Sequence, residues 1–255
     1  MAFKNQPSCV ALIPARSGSK RIKNKNIKLL GGHPLLAYTV RSAIDSGIFD
    51  AVICVTDSQI YANIAKHYGA EAEWLRPESI SGDLSPDIDW VQWSLNKLKE
   101  ESRVFDALSI LRPTSPFRLS STIIRAWSLF LNSSHIDSLR AVEKCSQHPG
   151  KMWVLNNNNI QPFINKSINN VPWHSSQYAS LPEIFVQNAS LEIVWSSVIS
   201  EDRSIAGKKI IPFFTLDEEG FDINKEEDWF LAEQYILKGL TKMQQIKILP
   251  FFENL

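Results

Sequence analysis

Between Ala15 and Asn26 the chain reads A-R-S-G-S-K-R-I-K-N-K-N, which crowds Arg16, Lys20, Arg21, Lys23 and Lys25 into one short stretch, with Lys28 just beyond. A polyphosphate is the natural counterpart of such a cluster, because arginine offers paired contacts to phosphate oxygens and lysine a compact point charge. Gly18, set between two serines, permits a tight turn whose amides can converge on an anion. The stretch is neither G-x-x-x-x-G-K-[ST] nor G-x-G-x-x-G, so the two common nucleotide fingerprints are absent. A solvated basic loop is the competing reading. The position of the stretch directly after an apolar run favours a site.

A second candidate is Gly220–Asn224 (GFDIN), where Asp222 stands between Phe221 and Ile223. In an extended segment its carboxylate points away from those apolar neighbours, with Asn224 on the same side. Such a pair can serve a magnesium ion, which takes few protein oxygens and completes its shell with phosphate and water. The alternative role for Asn224 is to cap the helix that follows. His33, His67, His135, His148 and His174 show no metal spacing and read as surface or packing residues. Cys9, Cys54 and Cys145 are far apart and odd in number, which argues against a disulfide framework and for small buried hydrophobes. Trp153 and Trp173 are candidates to line a pocket.

These groups need elements to position them. Cys9–Pro14, Ala51–Thr56 and Ala107–Leu111 are continuous apolar runs bounded by turn residues, the pattern of buried parallel strands. Helical spacing is read over Pro34–Ser46, Gln59–Tyr68, Asp87–Glu100, Thr122–Leu131 and Glu226–Leu237, and shorter strands over Glu71–Leu75, Ser138–Val142, Glu183–Val198 and Ile210–Phe214. The alternation predicts an α/β protein with a mainly parallel sheet flanked by helices, binding its ligand beyond the carboxyl ends of the strands. The pattern breaks over 146–182, where prolines, four consecutive asparagines and aromatics indicate an irregular or β-rich insertion within a single 1–255 domain.

Composition narrows the field. The chain has 255 residues, 44% of them hydrophobic, with Lys plus Arg equal to Asp plus Glu at 27 each. With no net charge, nothing favours nucleic acid or an anionic membrane, and an anion site must be built locally. Residues 1–8 do not read as a secretory signal, and no apolar stretch approaches the ~20 residues of a membrane span, so a cytoplasmic protein is expected.

Ile13–Ile27 (IPARSGSKRIKNKNI) resembles the signature of the acylneuraminate cytidylyltransferases, the CMP-sialic acid synthetases, which reads approximately I-P-A-R-G-G-S-K-G-I-x-x-K-N-I. Leu29–Thr39 (LLGGHPLLAYT), Val55–Ser58 (VTDS), Leu75–Pro77 (LRP), Gly82-Asp83 and Arg112–Arg118 (RPTSPFR) are similar to further blocks of that family, in the same order. The resemblance implies a GT-A-like, Rossmannoid nucleotidyltransferase fold and a homodimer whose arm is the 146–182 insertion. It also implies that CTP and a 2-keto-3-deoxy sugar acid react to give a CMP-sugar and pyrophosphate. By position, Arg16 and Lys25 would hold the triphosphate as the catalytic pair, and Asn26 and Arg76 would contact the nucleotide, with Ala15, Ser19 and Asp87 completing that set. Asp222 would bind Mg2+, with Asn224 beside it. Arg112, Gln187 and Asn188 fall to the sugar side.

Several positions depart from the family pattern. Ser17-Gly18 replaces a glycine pair, Arg21 a later glycine, Arg112 the glutamine of a Q-P-T-S-P block, and Asn224 an aspartate. Val186–Ser190 (VQNAS) keeps Asn188 but loses an arginine. The alternatives to a cytidylyltransferase are a relative using another base or a sugar phosphate, such as a guanylyltransferase, and a nucleotide-binding relative with impaired catalysis.

Overall fold

The structure is a computed structural model and describes residues 6–251. Strand β1 (Cys9–Pro14) runs into the basic loop, which ends at a short hairpin of β2 (Leu29–Leu30) and β3 (His33–Pro34). Helix α1 (Leu35–Ser46) starts directly after Pro34, and Gly47 stops it in the left-handed conformation at φ 65°. Next come β4 (Ala51–Val55) and α2 (Gln59–His67), whose first turn is capped by the Ser58 hydroxyl accepting from the Tyr61 amide. Helix α3 (Asp87–Glu100) carries acids in its first turn and lysines in its last, the arrangement that complements the helix dipole. Strand β5 (Ala107–Ile110), helix α4 (Ser120–Asn132) and strand β6 (Ser138–Lys144) complete this half.

Two small hairpins follow, β7 (Trp153–Asn156) with β8 (Asn159–Pro162) and β9 (Ser167–Ile168) with β10 (Val171–Pro172). Strand β11 (Phe185–Trp195), the short helix α5 (Ser196–Asp202), β12 (Ile210–Phe214) and α6 (Glu226–Leu237) end the series. The chain divides into two compact units, one of residues 6–141 and 188–251 among those described, the other Val142–Gln187. In the smaller unit Trp173 is buried against His148, and Trp153 stands half-exposed beside His174.

The six-stranded sheet of the larger unit has the order β12-β6-β11-β5-β1-β4. Strands β4 and β5 both pair parallel to β1, and β11 pairs antiparallel to β5. Alternation along β1 sorts the core: Cys9, Ala11 and Ile13 pack with residues of α1, α2 and α4, whereas Val10 and Leu12 pack with Trp90, Val91 and Leu98 of α3 and with Val198 and Ile199 of α5. A third apolar cluster matters most for the site. It joins Ile22 of the basic loop to Leu30, Leu35, Tyr38, Phe117, Ile223, Trp229 and Ala232. Among the described residues no helix is long and apolar enough to cross a membrane. Burial pushes the Cys54 thiol up to about 12 and that of Cys9 well above its usual value, which keeps both inert as packing groups.

Three stretches differ from the sequence reading. Glu71–Leu75 makes only isolated bridges, Ile53 with Glu71 and Thr56 with Leu75, because Trp74 turns away to pack edge-on against Trp93 and donate to Glu101 at 2.9 Å. The strand read through Val198 ends at Trp195, and α5 follows it. Propensity does not reveal a seven-residue helix with β-branched residues; burial of Val198 and Ile199 stabilises it. Gly220–Asn224 is not a strand. It leaves a 3-10 turn at Asp217–Gly220 and is held by the Ile223 amide donating to the Thr114 carbonyl at 2.9 Å.

The 3-10 turn is fixed to α4 by Glu219, which accepts from Thr122 at 2.6 Å, from Arg125 through two nitrogens and from the Leu216 amide at 2.8 Å. Burial alone would raise this carboxyl's pKa, but the bonds from Arg125, Thr122 and Leu216 outweigh it and hold the value below the usual glutamate range. The stabilisation is therefore complete above the unfolded value of about 4.3 and lost as pH falls through the depressed folded value. Glu219→Gln is predicted to lower unfolding free energy at pH 7 by about 1–2 kcal/mol, a figure discounted for solvent around Arg125. Denaturant titrations from pH 7 to pH 3 check this, and the gap between the two proteins should close toward the acid end.

Candidate active site

A cavity of about 290 Å³ opens where β1 and β5 end, lined by Pro14 from the first and by Arg112, Pro113 and Thr114 after the second. Among the described residues its wall carries six cationic side chains, Arg16, Lys20, Arg21, Lys25, Arg76 and Arg112, against two acids, Asp83 and Asp87. A larger cavity of about 730 Å³ lies among α3, Val104–Asp106 and α5. Leu95, Phe105 and Trp195 make much of its wall apolar, and its Arg103 is already held through two nitrogens by Glu71, so it offers no comparable anion site. The smaller cavity is the chemical one.

Crowding like charges requires anchors, and the basic loop has several. Ile22 is 1% exposed in its apolar cluster. The Ser17 amide and hydroxyl donate to the Asp57 carboxylate, at 2.7 and 3.2 Å, tying the loop to the turn after β4. Buried Asn26 donates to the Arg16 carbonyl at 3.2 Å, and Lys28 lies 4.3 Å from the centre of the Trp229 ring. The tight backbone position is Asn24, at φ 54°, rather than Gly18. Gly18 avoids the left-handed region and has open space where a Cβ would sit, so the loop does not depend on a glycine there.

The cations differ in freedom. Asp83 bridges Arg16 and Lys20, each at 2.5 Å, and their hydrogen bonds hold its carboxyl below the usual aspartate range. Lys25 donates to the Ile223 carbonyl at 2.7 Å; burial lowers its pKa, and Asp222 only partly offsets this. Arg76 is buried beside Trp90 and donates to the Ile80 carbonyl at 2.9 Å. Burial lowers its pKa too, with Asp57 as the main opposing charge. Arg112 donates to Asp87 at 2.6 Å and to Glu192 at 2.9 Å. Asp87 is partly buried, which raises its pKa, but Arg112 and the Trp90 indole bring the net value below the usual range.

The expected residues therefore fall into groups. Arg16, Ser19, Lys25, Asn26, Arg76, Asp87 and Arg112 share the cavity wall, and Ala15 is fully buried behind it. Asp222 and Asn224 are linked to this wall through Lys25 and through Arg21, which donates to the Asn224 oxygen at 3.2 Å. Asn188 does not line the cavity; it is buried, donating to Thr215 and accepting from the Ser190 amide. Gln187 lies exposed in the smaller unit. Asn224 does not cap α6, because Asp228 accepts from the amides of Asn224 and Lys225, at 2.8 and 3.0 Å. Sequence reasoning missed the tethers Asp57, Asp83 and Glu192. A lone acid inside the apolar run LEIVW was the available signal for the last.

The fit to a divalent cation rests on Asp222. One of its oxygens accepts from the Asn224 side-chain Nδ2 at 2.5 Å; the other is buried with no hydrogen-bond partner. A bare buried carboxylate oxygen suits a hard cation whose remaining ligands are phosphate and water. The Asn224 oxygen is engaged by Arg21. Among the described residues no three His, Cys, Asp or Glu side chains cluster into a complete metal site.

Cations gathered at the carboxyl edge of a mainly parallel sheet are what a nucleotidyltransferase needs to hold a nucleoside triphosphate. A family model described as cytidylyltransferase matches residues 10–108. The CMP-N,N'-diacetyllegionaminic acid synthase of Legionella pneumophila subsp. pneumophila is 32% identical over 228 residues, covering 88% of this chain and 94% of that protein. An N-acylneuraminate cytidylyltransferase of Escherichia coli O18:K1:H7 is 42% identical over 121 residues, covering 48% of this chain and 28% of that longer protein. Among solved structures, CMP:2-keto-3-deoxy-manno-octonic acid synthetase complexed with CTP aligns with a TM-score of 0.67 at 13% identity, over 91% of this chain and 99% of that one, a likeness of fold. The chain belongs to the acylneuraminate cytidylyltransferase family.

Asp83 holds the place of an anion between Arg16 and Lys20, so an incoming phosphate must displace it. Asp83→Asn is predicted to bind inorganic pyrophosphate about fivefold more tightly than the parent protein, by calorimetry at low salt. Unchanged or weaker binding would show that the bridge does not compete with anions.

Proposed function

We propose that this enzyme activates a sialic-acid-like 2-keto-3-deoxy sugar acid with CTP, releasing pyrophosphate. The observation that carries the reading is the excess of cations on the cavity wall at the end of β1, in a chain with no net charge. The sugar's anomeric oxygen attacks the α-phosphorus, a P–O bond forms, the α–β anhydride breaks, and pyrophosphate departs with the bonding electrons. The hydroxyl proton passes to solvent. Arg16 and Lys25 stabilise the negative charge that builds on the phosphates, in positions set before the reaction begins. Asn26, Arg76 and Asp87 hold the nucleoside, with Ser19 and the Ala15 backbone beside the phosphates, and Arg112 faces the acceptor. Gln187 and Asn188 remain sugar-side candidates, Asn188 through the backbone it braces. Asp222 would hold Mg2+, with Asn224 supporting it; a bound ion supplies further neutralisation of phosphate charge.

The smaller unit has the character of a dimerisation arm: Leu155 is 73% exposed and Phe163 60% exposed, and Val154 and Ile160 are exposed beside them. A homodimer is the assembly this supports. Dependence on CTP and the free thiols suit the cytoplasm.

Screening the four nucleoside triphosphates against sialic, legionaminic, pseudaminic and shorter keto-deoxy acids tests the reaction through pyrophosphate release. The expected result is turnover with CTP and a nine-carbon acid; turnover only with another nucleotide or with sugar phosphates would overturn it. Arg16→Ala and Lys25→Ala should each lower kcat/KM at least about a hundredfold while leaving the thermal melt intact. Because burial lowers the Lys25 pKa and its charged form is the active one, the rate should fall on the alkaline side earlier than an ordinary lysine would dictate. Lys25→Arg should move that limb upward.

A further inference from the structure

Arg112 belongs to a chain of four charged side chains that run inward from the cavity wall. Its Nη2 donates to Oδ2 of Asp87 at 2.6 Å and to Oε1 of Glu192 at 2.9 Å. The other Glu192 oxygen accepts from Arg140, which in turn donates to the Ile205 carbonyl at 2.8 Å. Asp87 and Arg112 line the cavity, whereas Glu192 is 2% exposed and Arg140 9% exposed behind them. The two acids and two bases cancel.

The placement is rigid. Glu192 sits opposite Ile110 in the β5–β11 pair, and its carbonyl accepts from the Ser109 hydroxyl at 2.9 Å. The Arg112 carbonyl is held by both terminal nitrogens of Arg118, a guanidinium 1% exposed whose pKa burial lowers to about 9. Backbone and side chain of Arg112 are thus fixed independently.

A guanidinium grips a carboxylate through one of two forks, Nε with Nη2 or Nη1 with Nη2. Both forks need Nη2, which here already serves two carboxylates. Nε and Nη1 of Arg112 make no hydrogen bond among the described residues, so what remains is a set of single donors on a charge-compensated group. Asp87 on the same wall further disfavours an arriving anion.

We propose that Arg112 reads a neutral oxygen of the acceptor, a hydroxyl or an acyl carbonyl, rather than the acid's carboxylate, and that Glu192 is the positioning residue that restricts it to this role. The inference rests on the sugar-acid reading above and assigns a specificity element within that site.

The test uses the full chain, CTP and the acid that turns over best, with inhibition constants for its C1 carboxamide and for analogues each lacking one hydroxyl or acyl group. Arg112→Met should raise KM for the acid about tenfold or more, and by more than it raises the KM for CTP, whose site feels the change only through the loss of Asp87's partner. The same loss should appear on the carboxamide and vanish on the single analogue that lacks the oxygen read. A loss that vanishes on the carboxamide instead assigns Arg112 to the carboxylate and overturns the proposal. Glu192→Gln, which uncovers the Arg112 charge, should increase the preference for acid over carboxamide; an unchanged preference removes Glu192 from the account. Should that variant lose its cooperative melt, Asp87→Asn, which relieves the same nitrogen, is read in the same way at saturating CTP, because Asp87 also holds the nucleoside. Failure of the parent protein to turn over any acid with CTP overturns both readings, whereas normal turnover with the wrong analogue pattern overturns only this one.

Discussion

Like charges repel, and this site depends on a device that keeps them together: the side chain of Ile22, set in the middle of the basic loop and buried among Leu35, Tyr38, Phe117, Ile223 and Trp229. Without an apolar anchor, Arg16, Lys20, Arg21 and Lys25 would spread into solvent, where their mutual repulsion is screened and their positions are lost. The anchor links the loop to α1, to the loop after β5 and to α6 in one cluster. The ligand cavity and the approach to Asp222 are therefore joined through the same apolar contacts. Asp57 and Asn26 tighten the loop by hydrogen bonds, but the peg sets its course.

Around this fixed loop the cations divide by how they are compensated. Arg16 and Lys20 share an exposed carboxylate on a neighbouring loop, a partner that an incoming phosphate can replace. Lys25 leans on a backbone carbonyl, and burial lowers its pKa, with the nearby Asp222 carboxylate opposing that shift. Arg112 is compensated from behind by a buried acid, which leaves it directional rather than strongly attractive. Electrostatic pull thus concentrates at the end of β1, and discrimination falls to the end of β5.

Much of this was legible in the sequence. Cys9–Pro14, Asp87–Glu100 and Glu226–Leu237 have the boundaries that apolar periodicity and flanking turn residues indicate, and the basic loop stands where a parallel strand must release its chain. What was not legible depends on contacts distant in sequence. Ile22 reads as one apolar residue in a charged run, and nothing local shows that it enters a cluster with Trp229. Gly18 looks like the turn residue, yet Asn24 carries the left-handed conformation. Asn224 has a good capping residue's identity, yet Asp228, one turn into the helix, supplies the carboxylate. Arg112 reads only as a cation on the sugar side until the register of β5 and β11 places Glu192 behind it.

The central claim is that the clustered cations hold the nucleotide by its phosphate tail. Calorimetric titration of the protein with CTP, CDP and CMP in one buffer of low ionic strength tests this most directly. Affinity should drop steeply with each phosphate removed, and the CTP value should weaken most as salt is raised. If CMP binds as tightly as CTP, the loop is not a triphosphate cradle and the account is wrong at its base.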